Sequence, residues 1–167
     1  MVAGLSAVAS GHGNLRILAV DFNWHKPALH QWFGLNRTFD ANDFGMGKSL
    51  LDLVQPTHVK NLDVLTATST SHRDIKMDED INRLGRDIIR QARVAYDVVI
   101  IDSSSIFPVN HRMMDPVSVS MDADAAILVA LANVTPRQKL KHARMLLETA
   151  GVYVAGVVVN QWKNILF

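Results

Sequence analysis

The sequence predicts a single domain, residues 1–167, of class α/β: a mostly parallel sheet with helices on both faces. Short β-branched apolar runs alternate with longer amphipathic stretches, the rhythm of βα units. Most of those runs are apolar on consecutive residues instead of every second one, as in strands covered on both faces. The chain has 167 residues, 49% hydrophobic and 20% charged, enough to bury one full core.

Taken in order, the strands are Leu15–Phe22, Leu62–Ala67, Tyr96–Asp102, Ala125–Leu131 and Val152–Asn160. Short helices are expected over Pro27–Phe33 and Ser49–Val54, and Thr66–Lys76 reads as a polar loop. Ile81, Leu84, Ile88, Ala92 and Ala95 recur at spacings of three and four, while Arg83, Arg86, Arg90 and Arg93 take other faces. That spacing makes an amphipathic helix with a solvated basic face. Ser103 to Asp122 is broken by Pro108 and Pro116, and Met113-Met114 reads as core filling. The last helix runs from about Pro136 to Ala150. Thr135 is the expected N-cap, Gln138 completes a capping box, Leu140, Ala143 and Leu147 form the buried stripe, and Gly151 supplies a left-handed stop.

Composition removes several function classes. Without Cys there is no disulfide scaffold, thiolate zinc site or cysteine nucleophile. Seventeen Lys and Arg against sixteen Asp and Glu argue against an electrostatic nucleic-acid binder. The longest apolar run, Ala125 to Ala132, is far shorter than the roughly 18 residues of a membrane span. Met1 to Ser10 is small and apolar but lacks the basic region of a secretory signal. The seven histidines show no helical metal-pair spacing, so surface or loop positions are expected for them.

In a parallel sheet, ligands gather at the carboxyl ends of the strands. Three strands end there on polar residues: Ile17-Leu18-Ala19-Val20 on Asp21, Val98-Val99-Ile100-Ile101 on Asp102, and Val157-Val158-Val159 on Asn160. A carboxylate in such a place is costly unless it is hydrogen-bonded or beside a cation. Each aspartate can therefore cap the following turn or hold Mg²⁺ beside a phosphate.

The whole series resembles the cytoplasmic domain of bacterial tyrosine kinases that regulate capsular and exopolysaccharide synthesis, within the deviant-Walker ATPases that include ParA and MinD. Arg16 to His30, with Asp21-Phe22-Asn23 followed by basic residues and Pro27, is similar to the family's second Walker-type element. Phe33-Gly34-Leu35, Ser49 to Val54 and Asn61 to Ala67 continue the pattern, Tyr96 to Ser103 resembles a Walker B strand, and Gly151 to Asn160 resembles the closing strand. The resemblance covers about residues 5 to 162. It implies a P-loop NTPase-like fold and a Mg-ATP cofactor, with Asp21 and Asp102 as catalytic and metal-binding residues. Asn160 is then the adenine contact, and Asn23 and Ser103 are further cofactor contacts.

The departures from the family are specific. No Gly-Lys-Thr/Ser phosphate loop precedes the first Asp-ended strand, and residues 4–13 align with the tail of the helix that follows that loop. Asn23 replaces the second acid of Asp-x-Asp, and Ser104 stands where relatives often have Pro. The only tyrosines are Tyr96 and Tyr153, so there is no C-terminal tyrosine cluster. Gly47-Lys48-Ser49 has near P-loop spacing but follows a polar loop instead of a strand, so Lys48 is expected to bind no phosphate.

The expected function is thus an incomplete or non-catalytic ATPase-like module of polysaccharide biosynthesis, with weak or absent MgATP binding. Its expected partners are a second copy or a subunit of a polysaccharide synthesis or export system, a membrane protein among them, and no nucleic acid. The expected location is the cytoplasm, with membrane association through a partner. The alternatives are an active tyrosine kinase or ATPase whose phosphate loop was lost by truncation, and a ParA- or MinD-type localisation ATPase. The last would call for a membrane-targeting tail or a DNA-binding basic patch, and neither is evident.

Overall fold

β-Strand Ile17–Asp21 (β1) is fully buried and forms the centre of a four-stranded sheet. Its neighbours are Leu62–Leu65 (β3) on one side and Val98–Asp102 (β4) on the other, both parallel to it. Unbroken apolar runs make this arrangement stable, because helices can cover each face. A two-residue strand, Gln55–Pro56 (β2), adds antiparallel to β3 at the edge. The sequence pattern misses it, since two residues carry no periodicity and Pro fits only an edge. The computed structural model describes residues 1–69, 81–107 and 114–161.

Register fixes which residues share a face. Ile17 pairs with Leu62 and Val98, and Ala19 with Val64 and Ile100. Those six pack with Val2 and Ala3 of helix Val2–Ser10 (α1) and with Leu29 and Phe33 of helix Leu29–Phe33 (α2). Helix Ile81–Ala95 (α4) packs against β4, and at its end the Tyr96 hydroxyl donates to Asp63 Oδ2 at 2.9 Å. Asp63 alternates with Leu62 and Val64, so α4 lies on the opposite face. Burial and the Asp63 carboxylate together push the Tyr96 hydroxyl well above its usual pKa.

The expected apolar stripe of α4 is rotated slightly. Ile81, Ile88 and Ala92 are buried as the spacing predicts, but Gly85 and Ile89 join them while Leu84 and Ala95 stay half-buried. The reason is Met114, which is buried and lies over Gly85; a Cβ there would sit 2.7 Å from the thioether sulfur. Arg83 and Arg90 both pair with Asp87 on the exposed side, a solvated face.

Helix Ala41–Gly45 (α3) is capped by Asp40, whose carboxylate accepts the Asn42 N–H. The expected helix at 49–54 is a single 3₁₀ turn, Leu50–Asp52, closed by a Ser49–Asp52 capping box.

The chain divides into two compact units, Met1–Asp115 and Pro116–Phe167. The second contains helix Pro116–Ser120 (α5), strands Ala126–Leu131 (β5) and Val154–Asn160 (β6), and helix Arg137–Thr149 (α6). β5 and β6 are parallel, as their apolar runs predict. One expectation is corrected: Pro136, not Thr135, is the N-cap of α6, and it makes no side-chain cap. Thr135 Oγ1 instead accepts the Leu131 N–H at 2.9 Å, closing the turn that leaves β5. Ala143 and Leu147 are buried, and Gly151 adopts the left-handed φ of 80° that ends the helix. The later part of the expected 66–76 loop, with His72, lies outside the described residues, as do Pro108, His111 and Met113.

Candidate functional site

Asp21 and Asp102 are register partners at the carboxyl ends of β1 and β4. Paired residues on adjacent parallel strands point to the same face and stand about 5 Å apart. Both belong to the face covered by α1 and α2, since Asp21 continues the series Ile17, Ala19 and Asp102 continues Val98, Ile100.

Their environments differ. Asp21 is 1% exposed, and its carboxylate accepts three backbone N–H groups: Asn23 on Oδ1 at 3.1 Å, and Ala28 and Leu29 on Oδ2 at 3.0 and 3.1 Å. It closes the turn after β1 and satisfies the first amides of α2, the role of an N-cap supplied from another strand. The Trp24 indole completes the turn by donating to the Asp21 carbonyl at 3.0 Å, with its ring against Phe39. Burial raises the Asp21 pKa, against the pull of those amides and of His30.

Asp102 is half-buried, and among the described residues its carboxylate makes no hydrogen bond or ion pair. Desolvation, then repulsion from Asp21, pushes its pKa up to about 6, against the smaller pull of the Met1 amino group. A half-buried carboxylate short of partners beside a second carboxylate fits a divalent cation, which prefers hard oxygen ligands and retains several waters. Asp102 has the freer carboxylate, whereas three of the roughly four lone pairs of Asp21 already accept backbone amides. Asn23 sits in the turn, its amide on Asp21 and its carbonyl accepting from Lys26. Ser103 is exposed directly after Asp102, and its hydroxyl donates weakly to the Ser104 carbonyl at 3.4 Å. Asn160 ends β6 in the second unit, where its carbonyl accepts the Ala132 N–H.

Comparison with known proteins bears on this arrangement. No protein-family model matches the chain. It is 26% identical over 162 residues to the tyrosine-protein kinase YwqD of Bacillus subtilis, covering 96% of this chain and 65% of that protein. It is 25% identical over 158 residues to the putative tyrosine-protein kinase CapB of Staphylococcus aureus, covering 93% of this chain and 66% of that one. Among solved structures, the kinase domain of VpsO superposes with a TM-score of 0.79 at 22% identity, over 97% of this chain and 77% of that chain. The Pyrococcus horikoshii septum site-determining protein MinD, complexed with Mg-ADP, gives 0.76 at 22% identity, over 99% and 65%. The chain has the ParA/MinD-type P-loop fold, and its homologues are bacterial tyrosine-protein kinases. It spans about two thirds of the length of those kinases.

The Gly47-Lys48-Ser49 segment lies between α3 and the 3₁₀ turn and follows no strand. Lys48 follows α3 in an exposed turn and its Nζ pairs with Asp43 Oδ2 at 2.8 Å. Exposed ion pairs contribute little. Lys48→Ala is therefore expected to shift unfolding free energy by no more than about 0.5 kcal/mol and to leave nucleotide affinity unchanged, checked by urea denaturation and titration. A large loss of ATP binding in that variant would restore the segment as a ligand site.

No cluster of three or more metal-ligating side chains occurs among the described residues, and no helix there is long and apolar enough to cross a membrane. The residues that sequence reasoning missed are Trp24 and the Ala28 and Leu29 amides. The amides have no sequence signal, since any residue supplies them. Asp21 and Pro27, which starts the next helical stretch, were the available clues.

Proposed function

We propose that this chain is an ATPase-like module of a capsular or exopolysaccharide tyrosine-kinase system, carrying the acidic, cation-binding side of a nucleotide site and acting through a protein partner. The observation that carries the reading is the division of labour between the two strand-end aspartates: Asp21 builds the turn and Asp102 is left with a charge to share. Bound Mg²⁺ would supply the neutralising charge between Asp102 and phosphate oxygens. Ser103 and Asn23 flank the pair and offer further polar contacts to a nucleotide.

Two surfaces support a protein partner, either a second copy or a subunit of the polysaccharide machinery. The Val98 N–H and the Asp102 carbonyl bond toward β1, so alternation turns the main-chain groups of Val99 and Ile101 to the other edge of β4. No described strand pairs there. An open parallel edge of apolar residues is a ready template for an added strand. In the second unit, Val129 and Val158 are paired in register, and both stand exposed on one face with Ile127 and Leu131.

Within these 167 residues the only Gly-Lys-Ser is tied to Asp43, so the phosphates of ATP meet no loop of amides and lysine ahead of β1. One or two hydrogen bonds worth about 0.5–1.5 kcal/mol each fall far short of the roughly 8 kcal/mol of micromolar affinity. Calorimetric titration of the chain with MgATP is expected to show no micromolar binding. Micromolar binding abolished by Asp102→Ala would show an intact site within this chain and put the active-ATPase reading in its place.

A further inference from the structure

Four side-chain polar atoms among the described residues are buried without a hydrogen-bond partner: Ser6 Oγ, His30 Nδ1, Thr66 Oγ1 and Ser104 Oγ. Buried polar groups are nearly always paired, so each orphan calls for an explanation. Three of the four gather around the strand-end aspartates. Thr66 directly follows β3, whose residue Leu65 pairs with Val20, so Thr66 stands in the same row as Asp21 and Asp102. It also continues the series Leu62, Val64 on the face of α1 and α2, and it is 0% exposed. Ser104 lies two residues beyond Asp102, just past the end of β4. His30, next to the Leu29 amide that Asp21 caps, is close enough to act on the Asp21 charge.

Each of the three parallel strands of this sheet thus follows one pattern: two apolar residues toward α1 and α2, then a polar one. Leaving several polar atoms unpartnered in one place costs stability that a folded chain without a ligand does not recover. Elsewhere the same loop satisfies its hydroxyls with backbone. Thr68 Oγ1 accepts the Ala41 N–H, and Ser69 Oγ donates to the Phe39 carbonyl. The Thr66 orphan is therefore a property of the strand-end row and not of the loop.

We propose that Thr66, together with Ser104, completes the cation site of Asp102, their hydroxyls hydrogen-bonding the water shell of a divalent metal ion. This rests on the reading of Asp102 as the cation ligand. The chemistry suits a hard cation that keeps its waters: one carboxylate for charge, and neutral hydroxyls that both donate and accept around it.

The test uses the full chain and MgCl₂ alone, read by thermal unfolding across a Mg²⁺ titration and by the apparent dissociation constant. The wild type is expected to gain melting temperature with Mg²⁺, and Asp102→Asn to lose that gain. Thr66→Val is expected to melt higher than wild type without Mg²⁺, because an unpaired hydroxyl is gone, yet to bind Mg²⁺ about tenfold more weakly. Thr66→Ser should restore the affinity, and Ser104→Ala should weaken it in its own right. Thr66→Val and Ser104→Ala that both bind Mg²⁺ as tightly as wild type, while Asp102→Asn does not bind, would overturn this inference alone. A wild type with no Mg²⁺ response at all would overturn the cation-site reading beneath it, and this inference with it.

Discussion

Asp21→Ala is expected to destabilise the protein by about 3 kcal/mol or more in urea denaturation. The side chain is 1% exposed, and its removal strands the amides of Asn23, Ala28 and Leu29 together. An unsatisfied buried donor costs roughly 1–3 kcal/mol, and three that share one acceptor cannot each find water in a closed turn. The loss should extend beyond the turn, because Leu29 and Phe33 of α2 pack on the same cluster as Ile17 and Ala19. Asp21→Asn keeps one acceptor oxygen and is expected to cost about half as much. A nearly neutral Asp21→Ala would mean that water replaces the carboxylate and that Asp21 is free for a ligand after all.

That turn also shows how far the sequence could be read. The strands were legible because burial on both faces leaves unbroken apolar runs, and Ile17 to Val20 and Val98 to Ile101 have no other use for four β-branched or aliphatic residues in a row. That Asp21 and Asp102 both end strands at the carboxyl edge was legible in the βα rhythm, but their pairing in register was not. What separates the two aspartates was not legible, since it depends on the amides of Ala28 and Leu29 folding back onto Asp21 over seven and eight residues. Thr66 was hidden for another reason. It belongs both to the expected strand Leu62–Ala67 and to the polar stretch that starts at Thr66, and nothing in the sequence shows that its hydroxyl is buried level with the aspartates. Thr135 misled in the opposite way: its N-cap spacing before Pro136 is correct, but the Leu131 N–H was the stronger claimant for its hydroxyl.

Asp102→Asn, in contrast to any change at Asp21, is expected to stabilise the protein at pH 7.5. Burial and the Asp21 charge hold the Asp102 pKa up at about 6, from an ordinary value of 3.8. The folded chain thus binds this proton more tightly than the unfolded chain does. Its contribution to stability is fully present below pH 3.8 and is lost as the pH rises through about 6, because the unfolded state gives up its proton first. Above that range the ionised side chain is a standing cost. A rise of that size in pKa corresponds to roughly 3 kcal/mol, and screening at a half-buried position reduces the expected gain from Asp102→Asn to about 1–2 kcal/mol. The gain should vanish at pH 3.5, where wild type and variant are both neutral at this position. Denaturation midpoints measured from pH 3.5 to 8 would show it as wild-type stability that falls from pH 4 to 6.5 relative to the variant. Loss of stability in Asp102→Asn at pH 7.5 would instead make Asp102 a second structural cap. A gain fits a carboxylate kept ionised at a cost to the fold, and a divalent cation at the same strand end would offset that cost.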